Sequence, residues 1–224
     1  MKILFCAYRD WGKSIHQYAN HFIKEEYPGV LDNSMDLCTS QSELEQLDTS
    51  VYDLIFFVGW SDMISEDLTK RRNCICLHPS KLPEYRGGSP IQNQIIDGVT
   101  RSAVTFFVMD EGLDTGEIIY QTPLCLQGDL KDIFLRIIRA GYYAVVHIIV
   151  DFAKNNKLET WPQECVLPAK KRRTPSMSEI TQQDLSELTA EELYNKIRCL
   201  QDPYPNAFIT CKDGSRLYIT NAYL

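Results

Sequence analysis

Apolar residues fall in two patterns along this chain, and the alternation between them predicts its elements. Residues 2–8 form a short apolar run of strand length. Residues 13–26 follow, with Ile15, Tyr18, Ala19, Phe22 and Ile23 recurring at helical spacing. Residues 53–59, 74–77 and 103–110 are three further unbroken runs, each long enough for a strand. Between them, 65–72 and 90–97 read as helices, the second opened by Pro90 in its first turn. After Gly128, residues 129–152 predict a long amphipathic helix carrying Ile133, Ile137, Ile138, Val145 and Ile149. Strands that are continuously apolar, rather than alternating, are buried on both faces. Separated by helices, they indicate an α/β, Rossmann-like, mostly parallel sheet with helices on both faces.

The pattern changes beyond residue 150. Lys170-Lys171-Arg172-Arg173 is a basic stretch that ends near Pro175, and residues 189–200 predict a helix. Thr189 is its N-cap, with Glu192 at the capping-box position. A loop rich in Pro and Tyr, 202–206, leads to a hairpin of 207–211 and 216–219 around Asp213-Gly214. There is no internal repeat. The layout is a catalytic core over residues 1–150 and a short C-terminal α+β extension, 151–224, holding a helix and a hairpin.

Composition narrows the functional classes. The 224 residues suffice for one domain of ordinary size with an appendage, and 44% apolar with 24% charged residues is a globular composition. A net charge of −7 repels polyanions, so a nucleic-acid partner is not expected. The N-terminal apolar run is too short for a signal peptide, and no run approaches the ~18 residues of a membrane span. The eight cysteines, without a secretion signal, read as reduced thiols in a cytoplasmic protein. Cys74 and Cys76 form a C-x-C with no second pair, so no metal site is expected.

Two segments carry candidate chemistry. His78 lies in Leu77-His78-Pro79-Ser80-Lys81-Leu82-Pro83-Glu84-Tyr85-Arg86-Gly87-Gly88, and Asp114 in Gly112-Leu113-Asp114-Thr115-Gly116. Each follows a predicted strand, so both are expected at one edge of the sheet, where ligands of open α/β folds bind. Taken singly, His78 could cap its loop and Asp114 could fill an Asx turn. Taken together they make an acid/base pair.

These segments, with Lys171-Arg172-Arg173-Thr174-Pro175 and the stretch 197–208, resemble the folate-dependent formyltransferases. The resemblance implies transfer of a formyl group from 10-formyltetrahydrofolate to a primary amine, without a metal. Asp114 would take the amine proton and orient His78, and His78 would stabilise the developing oxyanion. Cys76 stands where the family carries an asparagine, and a thiol is the weaker donor. Asn73, Gln92, Asn93 or backbone amides could hold the oxyanion instead, or Cys76 could itself be a nucleophile activated by His78. Trp60, Met63 and Ile64 would wall the pterin pocket, unless Trp60 is simply core. Leu82, Arg86, Gly87, Asp110 and Gly112 complete the implied cofactor set, with Gly87 and Gly88 either permitting close backbone approach to a ligand or serving as ordinary turn glycines. Arg9, Lys81, Tyr85 and Gln92 are the implied substrate residues.

The implied substrate is a nucleotide-diphosphate amino sugar, dTDP- or UDP-linked, of the kind used for surface glycans. The loop after the first strand lacks the Gly-rich phosphate loop of the glycinamide ribonucleotide enzymes. About 20 residues follow Pro205, short of the β domain that the transfer-RNA enzymes carry. The basic run could contact transfer RNA or a diphosphate, or be a solvated loop. A homodimer could form through Leu193, Ile197, Phe208, Leu217, Ile219 and Tyr223. A short methionyl-tRNA formyltransferase and a folate-binding protein without activity are the alternatives.

Overall fold

A computed structural model describes residues 1–71, 73–165 and 167–224. Its centre is a six-stranded sheet in the order β2 (Asp36–Cys38), β1 (Ile3–Cys6), β3 (Leu54–Val58), β4 (Cys74–His78), β5 (Arg101–Val108) and β6 (Ile118–Cys125). The first four strands are parallel, and β5 and β6 are antiparallel to their neighbours. The helices are α1 (Asp10–Glu26), α2 (Gln41–Leu44), α3 (Glu66–Thr69), α4 (Pro90–Ile96), α5 (Leu130–Asn155), α6 (Gln182–Glu187) and α7 (Ala190–Arg198). A separate hairpin pairs β7 (Ala207–Thr210) with β8 (Arg216–Ile219).

The continuous apolar runs are strands with both faces buried. Ile3, Phe5, Leu54, Phe56, Ile75, Leu77, Val104 and Phe106 point to the face covered by α1 and α5. Alternate residues Leu4, Cys6, Ile55, Phe57 and Cys74 point to the other face, which is covered only by the short α2 and α3 and by loops. The helix expected over 65–72 contracts to α3, and Arg72 lies outside the described residues. Pattern reading missed β2, which is three residues long, and β6, an edge strand whose residues are mostly half-exposed and include Pro123.

Among the described residues, α5 is the one helix long and apolar enough, by length and composition, to cross a membrane, and more than half of that stretch is buried inside the fold. It also runs to Asn155, so the boundary expected at residue 150 falls within a helix. The extension shares the core: Ile180, Ile197, Cys199, Leu200 and Ala207 join the cluster beneath α1 and α5. The Arg198 guanidinium is buried and fastens α7 to the β6–α5 loop, with Nη1 donating to Leu126 O at 2.7 Å and Gly128 O at 3.0 Å. Thr189 and Glu192 form the expected capping box. The proposed dimer face is corrected in part. Ile197 and Phe208 are buried within the chain, whereas Leu217 and Tyr223 are exposed.

Candidate active site

The expectation that His78 and Asp114 share a sheet edge fails on strand direction. β5 runs antiparallel to β4, with Ile75 opposite Val108 and His78 opposite Thr105. The end of β5 therefore lies beside the start of β4. The two residues meet because the loops after each strand fold back over the sheet face that carries Cys76 and His78. His78 is 6% exposed, and its Nδ1 lies 3.4 Å from Asp114 Oδ2. Its Nε2 lies 2.9 Å from Tyr85 O. A carbonyl only accepts, so Nε2 carries hydrogen and Nδ1 is the ring nitrogen that faces the carboxylate. Asp114 Oδ2 also accepts from Gly87 N at 2.8 Å. Asp114 itself sits at φ +54°, a left-handed conformation that Asp tolerates better than most residues.

Polar residues inside apolar elements hold the His78 loop. Thr105, in the middle of β5, donates to Ser80 O at 2.6 Å and accepts from Gln121 Nε2 at 2.9 Å. Gln94 Nε2 donates to Pro79 O at 2.9 Å and Pro90 O at 2.8 Å, and its Oε1 accepts from Ser102. Sequence reasoning missed these residues. The available signal was a lone polar residue in a buried run, such as Val104-Thr105-Phe106, because a buried hydroxyl needs partners.

The basic run docks through its backbone, while the side chains of Lys171 and Arg172 stay exposed. Lys170 N donates to Arg86 O at 2.8 Å, Gly88 N to Lys170 O at 2.9 Å, and Arg173 N to Ser89 Oγ at 3.0 Å. Lys170 Nζ is 2.8 Å from Asp97 and 4.9 Å from the Tyr85 ring centre. A Cβ on Gly87 would stand 2.6 Å from Lys170 O, and one on Gly88 would overlap Arg172. These glycines are required by the close approach of this segment.

The turn bearing Asp114 is closed from both ends. Asp110 accepts from Gly112 N at 3.0 Å and Thr115 Oγ1 at 2.8 Å, and a Cβ on Gly112 would collide with Thr115. Asp110 and Gly112 thus shape the turn. From beyond α5, Gln163 Nε2 donates to Asp114 O at 3.0 Å and Gly116 O at 2.9 Å. A cleft of about 400 Å³ opens beside this turn, lined by Lys70, Met109, Asp110, Thr115, Gly116 and Gln163 among others.

Cys76, Met109, Trp60 and Ile64 are half-buried along the same sheet face, with Leu82 fully covered beneath Cys76 and Met109. Burial, and secondarily the Asp114 charge, push the Cys76 thiol up, which disfavours the thiolate. Trp60 packs on Tyr8 and Phe57, and its buried indole N–H has no partner among the described residues. Met63 is 89% exposed and stands outside this wall. Arg86 reaches Leu113 O at 3.4 Å, while its buried Nε has no hydrogen-bond partner among the described residues.

The implied substrate residues divide. Arg9 stacks over Tyr8 with 5.5 Å from Cζ to the ring centre. Gln92 is 5% exposed, with a buried Oε1 that has no hydrogen-bond partner among the described residues. Lys81 is an exposed partner of Glu84, and the Tyr85 hydroxyl donates to Asp97, so Tyr85 serves the site through its carbonyl. Asn73 spends its amide on Tyr52 O and Asp53 O, and Asn93 on Gly88 O and Lys171 O, which removes both as oxyanion donors. No group of three metal-ligating side chains occurs among the described residues.

This architecture has relatives. A methionyl-tRNA formyltransferase of Syntrophomonas wolfei is 30% identical over 190 residues, covering 83% of this chain and 59% of that protein. The chain therefore spans little more than half of that relative's length. A solved methionyl-tRNA formyltransferase from Clostridium thermocellum superposes with TM-score 0.76 at 26% identity, covering 98% of this chain and 97% of that one. A 4-N formyltransferase from Francisella tularensis shares the fold with TM-score 0.76 at 19% identity, covering 98% and 96%. The family described as formyl transferase matches residues 20–132, half of the chain, and this protein belongs to it.

Proposed function

We propose that the protein transfers a formyl group from 10-formyltetrahydrofolate to the primary amine of a nucleotide-diphosphate amino sugar. The observation that carries this reading is the buried imidazole of His78, set between an obligate acceptor, Tyr85 O, and the Asp114 carboxylate. The residues present fit the donor. The wall of Trp60, Ile64, Cys76 and Met109 suits a flat heteroaromatic ring, and the unpartnered Trp60 N–H and the main-chain groups of the Asp114 turn supply polar contacts.

When bound, 10-formyltetrahydrofolate supplies an activated one-carbon unit open to attack by a neutral amine. Asp114 accepts the proton that the amine must lose, the 3.4 Å gap to His78 Nδ1 is where it is held, and from there it passes to the nitrogen that leaves as its bond to the formyl carbon breaks. Once that proton is shared with Nδ1, the imidazole is cationic and offsets negative charge developing beside it. Gly87 N and Tyr85 O keep the carboxylate and the ring in place, so neither must reorganise during transfer.

The acidic net charge of −7 favours a small phosphorylated acceptor over a polyanion, and exposed Lys171 and Arg172 beside the His78 loop suit a diphosphate. The second reading, the amino group of an aminoacyl-tRNA, is favoured by the names of the relatives. The test is turnover of 10-formyltetrahydrofolate with a panel of dTDP- and UDP-amino sugars and methionyl-tRNA. Formylation of one sugar is expected. Turnover only with the RNA, falling steeply with salt, supports the second reading. No turnover with any acceptor overturns both.

A further inference from the structure

Asp114 makes its contacts from a left-handed conformation, in which a residue bearing a Cβ is held only by its surroundings. Asp110 closes the leading half of the turn through Gly112 and Thr115. The trailing half, with the carbonyls of Asp114 and Gly116, is closed by one side chain 49 residues further on, Gln163. A carboxamide has two N–H groups on one nitrogen, and here both are used, at 3.0 and 2.9 Å. Glutamate has the same length but no donor, asparagine is a methylene short, and an aliphatic side chain leaves both carbonyls unmade.

The backbone around Gln163 is fixed independently of its side chain. Ile118 N donates to Trp161 O at 2.8 Å and Trp161 N to Ile118 O at 2.9 Å, adding a short rung to β6. Thr160 Oγ1 donates to Glu117 Oε2 at 3.0 Å. The amide therefore stays in place when the turn moves, which a clamp requires.

We propose that Gln163 is a positioning residue for formyl transfer, holding the Asp114 turn so that its carboxylate meets His78 Nδ1. The assignment rests on the formyltransferase reading for its kinetic consequence, but its structural core can be tested without any acceptor. Gln163→Leu and Gln163→Glu are compared with the native protein, with Asp114→Ala as the reference for a lost partner. The first readout is the imidazole 15N spectrum of His78, assigned through His78→Gln, which reports the hydrogen at each ring nitrogen. Both Gln163 variants are expected to shift the Nδ1 resonance toward its position in Asp114→Ala, while melting within a few degrees of the native protein. The second readout is turnover on whichever amine the native protein accepts. It should fall about 100-fold in kcat with KM changed less than about threefold, as for a misplaced reacting group.

An Nδ1 resonance unchanged in both variants overturns the proposal, whatever the kinetics. So does a loss of kcat that merely tracks a lost folded fraction. If the native protein formylates nothing, the function reading fails, and the 15N comparison still decides whether Gln163 holds the pair.

Discussion

Between Nδ1 of His78 and Oδ2 of Asp114 lie 3.4 Å, and the candidate chemistry depends on a charge at one end of that gap. Asp114→Asn removes the charge while keeping a residue that also tolerates the left-handed backbone. Its kcat is expected to drop by about 10²–10⁴, with the fold intact by circular dichroism. Cys76 gives a second prediction. Its thiol is half-buried and held neutral, so in the native protein a thiol reagent at pH 8 should titrate Cys125, Cys165 and Cys211 ahead of it. Cys76 should react more slowly than these three, and the buried Cys6, Cys38, Cys74 and Cys199 only on unfolding. Cys76 reacting as fast as Cys125 would contradict the neutral-thiol reading. His78 and Asp114 were legible in the sequence because each sits in a distinctive loop. Gln163 and Thr105 were not, because their role is a hydrogen bond to a distant carbonyl, which leaves no local pattern.

Strands β1, β3, β4 and β5 and helices α1, α4, α5 and α7 were readable because burial imposes periodicity on the chain. Direction was not readable. The strand–helix–strand passage from β4 through α4 to β5 resembles a parallel crossover, the usual outcome for such a unit. Here α4 has only seven residues, and β5 returns antiparallel. The docking of 169–173 was equally hidden, since a basic run most often remains in water. Its tight packing yields an element-scale prediction. Gly88→Ala should lower stability by about 1–3 kcal/mol through overpacking against Arg172. Trypsin should then cut after Lys171 or Arg172 faster than in the native protein. An unchanged melting temperature with an unchanged cleavage rate would show that the segment does not need the glycine.

Across the whole molecule, acid should loosen the fold earlier than its carboxylates alone require. Burial between α1 and the sheet lowers His16 below its ordinary 6.5, outweighing its hydrogen bond to Met35 O at 2.9 Å and the nearby Asp36. A lowered folded value means the neutral ring is favoured in the native state. That stability is fully present above pH 6.5 and is lost as pH falls from there through the folded value. Asp184 acts in the same direction at lower pH. Burial raises it, but Lys196 and Thr181 together hold it below 3.8, so its contribution fades only as pH drops below about 4. The melting temperature should therefore decline between pH 7 and 5, and His16→Gln should flatten that decline. An identical slope in the variant would remove His16 as the cause.

The pairing of β4 with β5 has a consequence for how the site keeps its dimensions. Since His78 and Asp114 arrive from opposite ends of the same antiparallel pair, the ladder between them is a ruler that sets their spacing. A slip of one residue would turn Phe107 and its neighbours to the wrong face. A slip of two would preserve the faces but move the Asp114 turn ~7 Å along the strand, out of reach of the imidazole. The backbone ladder thus sets the coarse spacing between His78 and Asp114, on which the side chains that close the turn, Asp110 and Gln163, act.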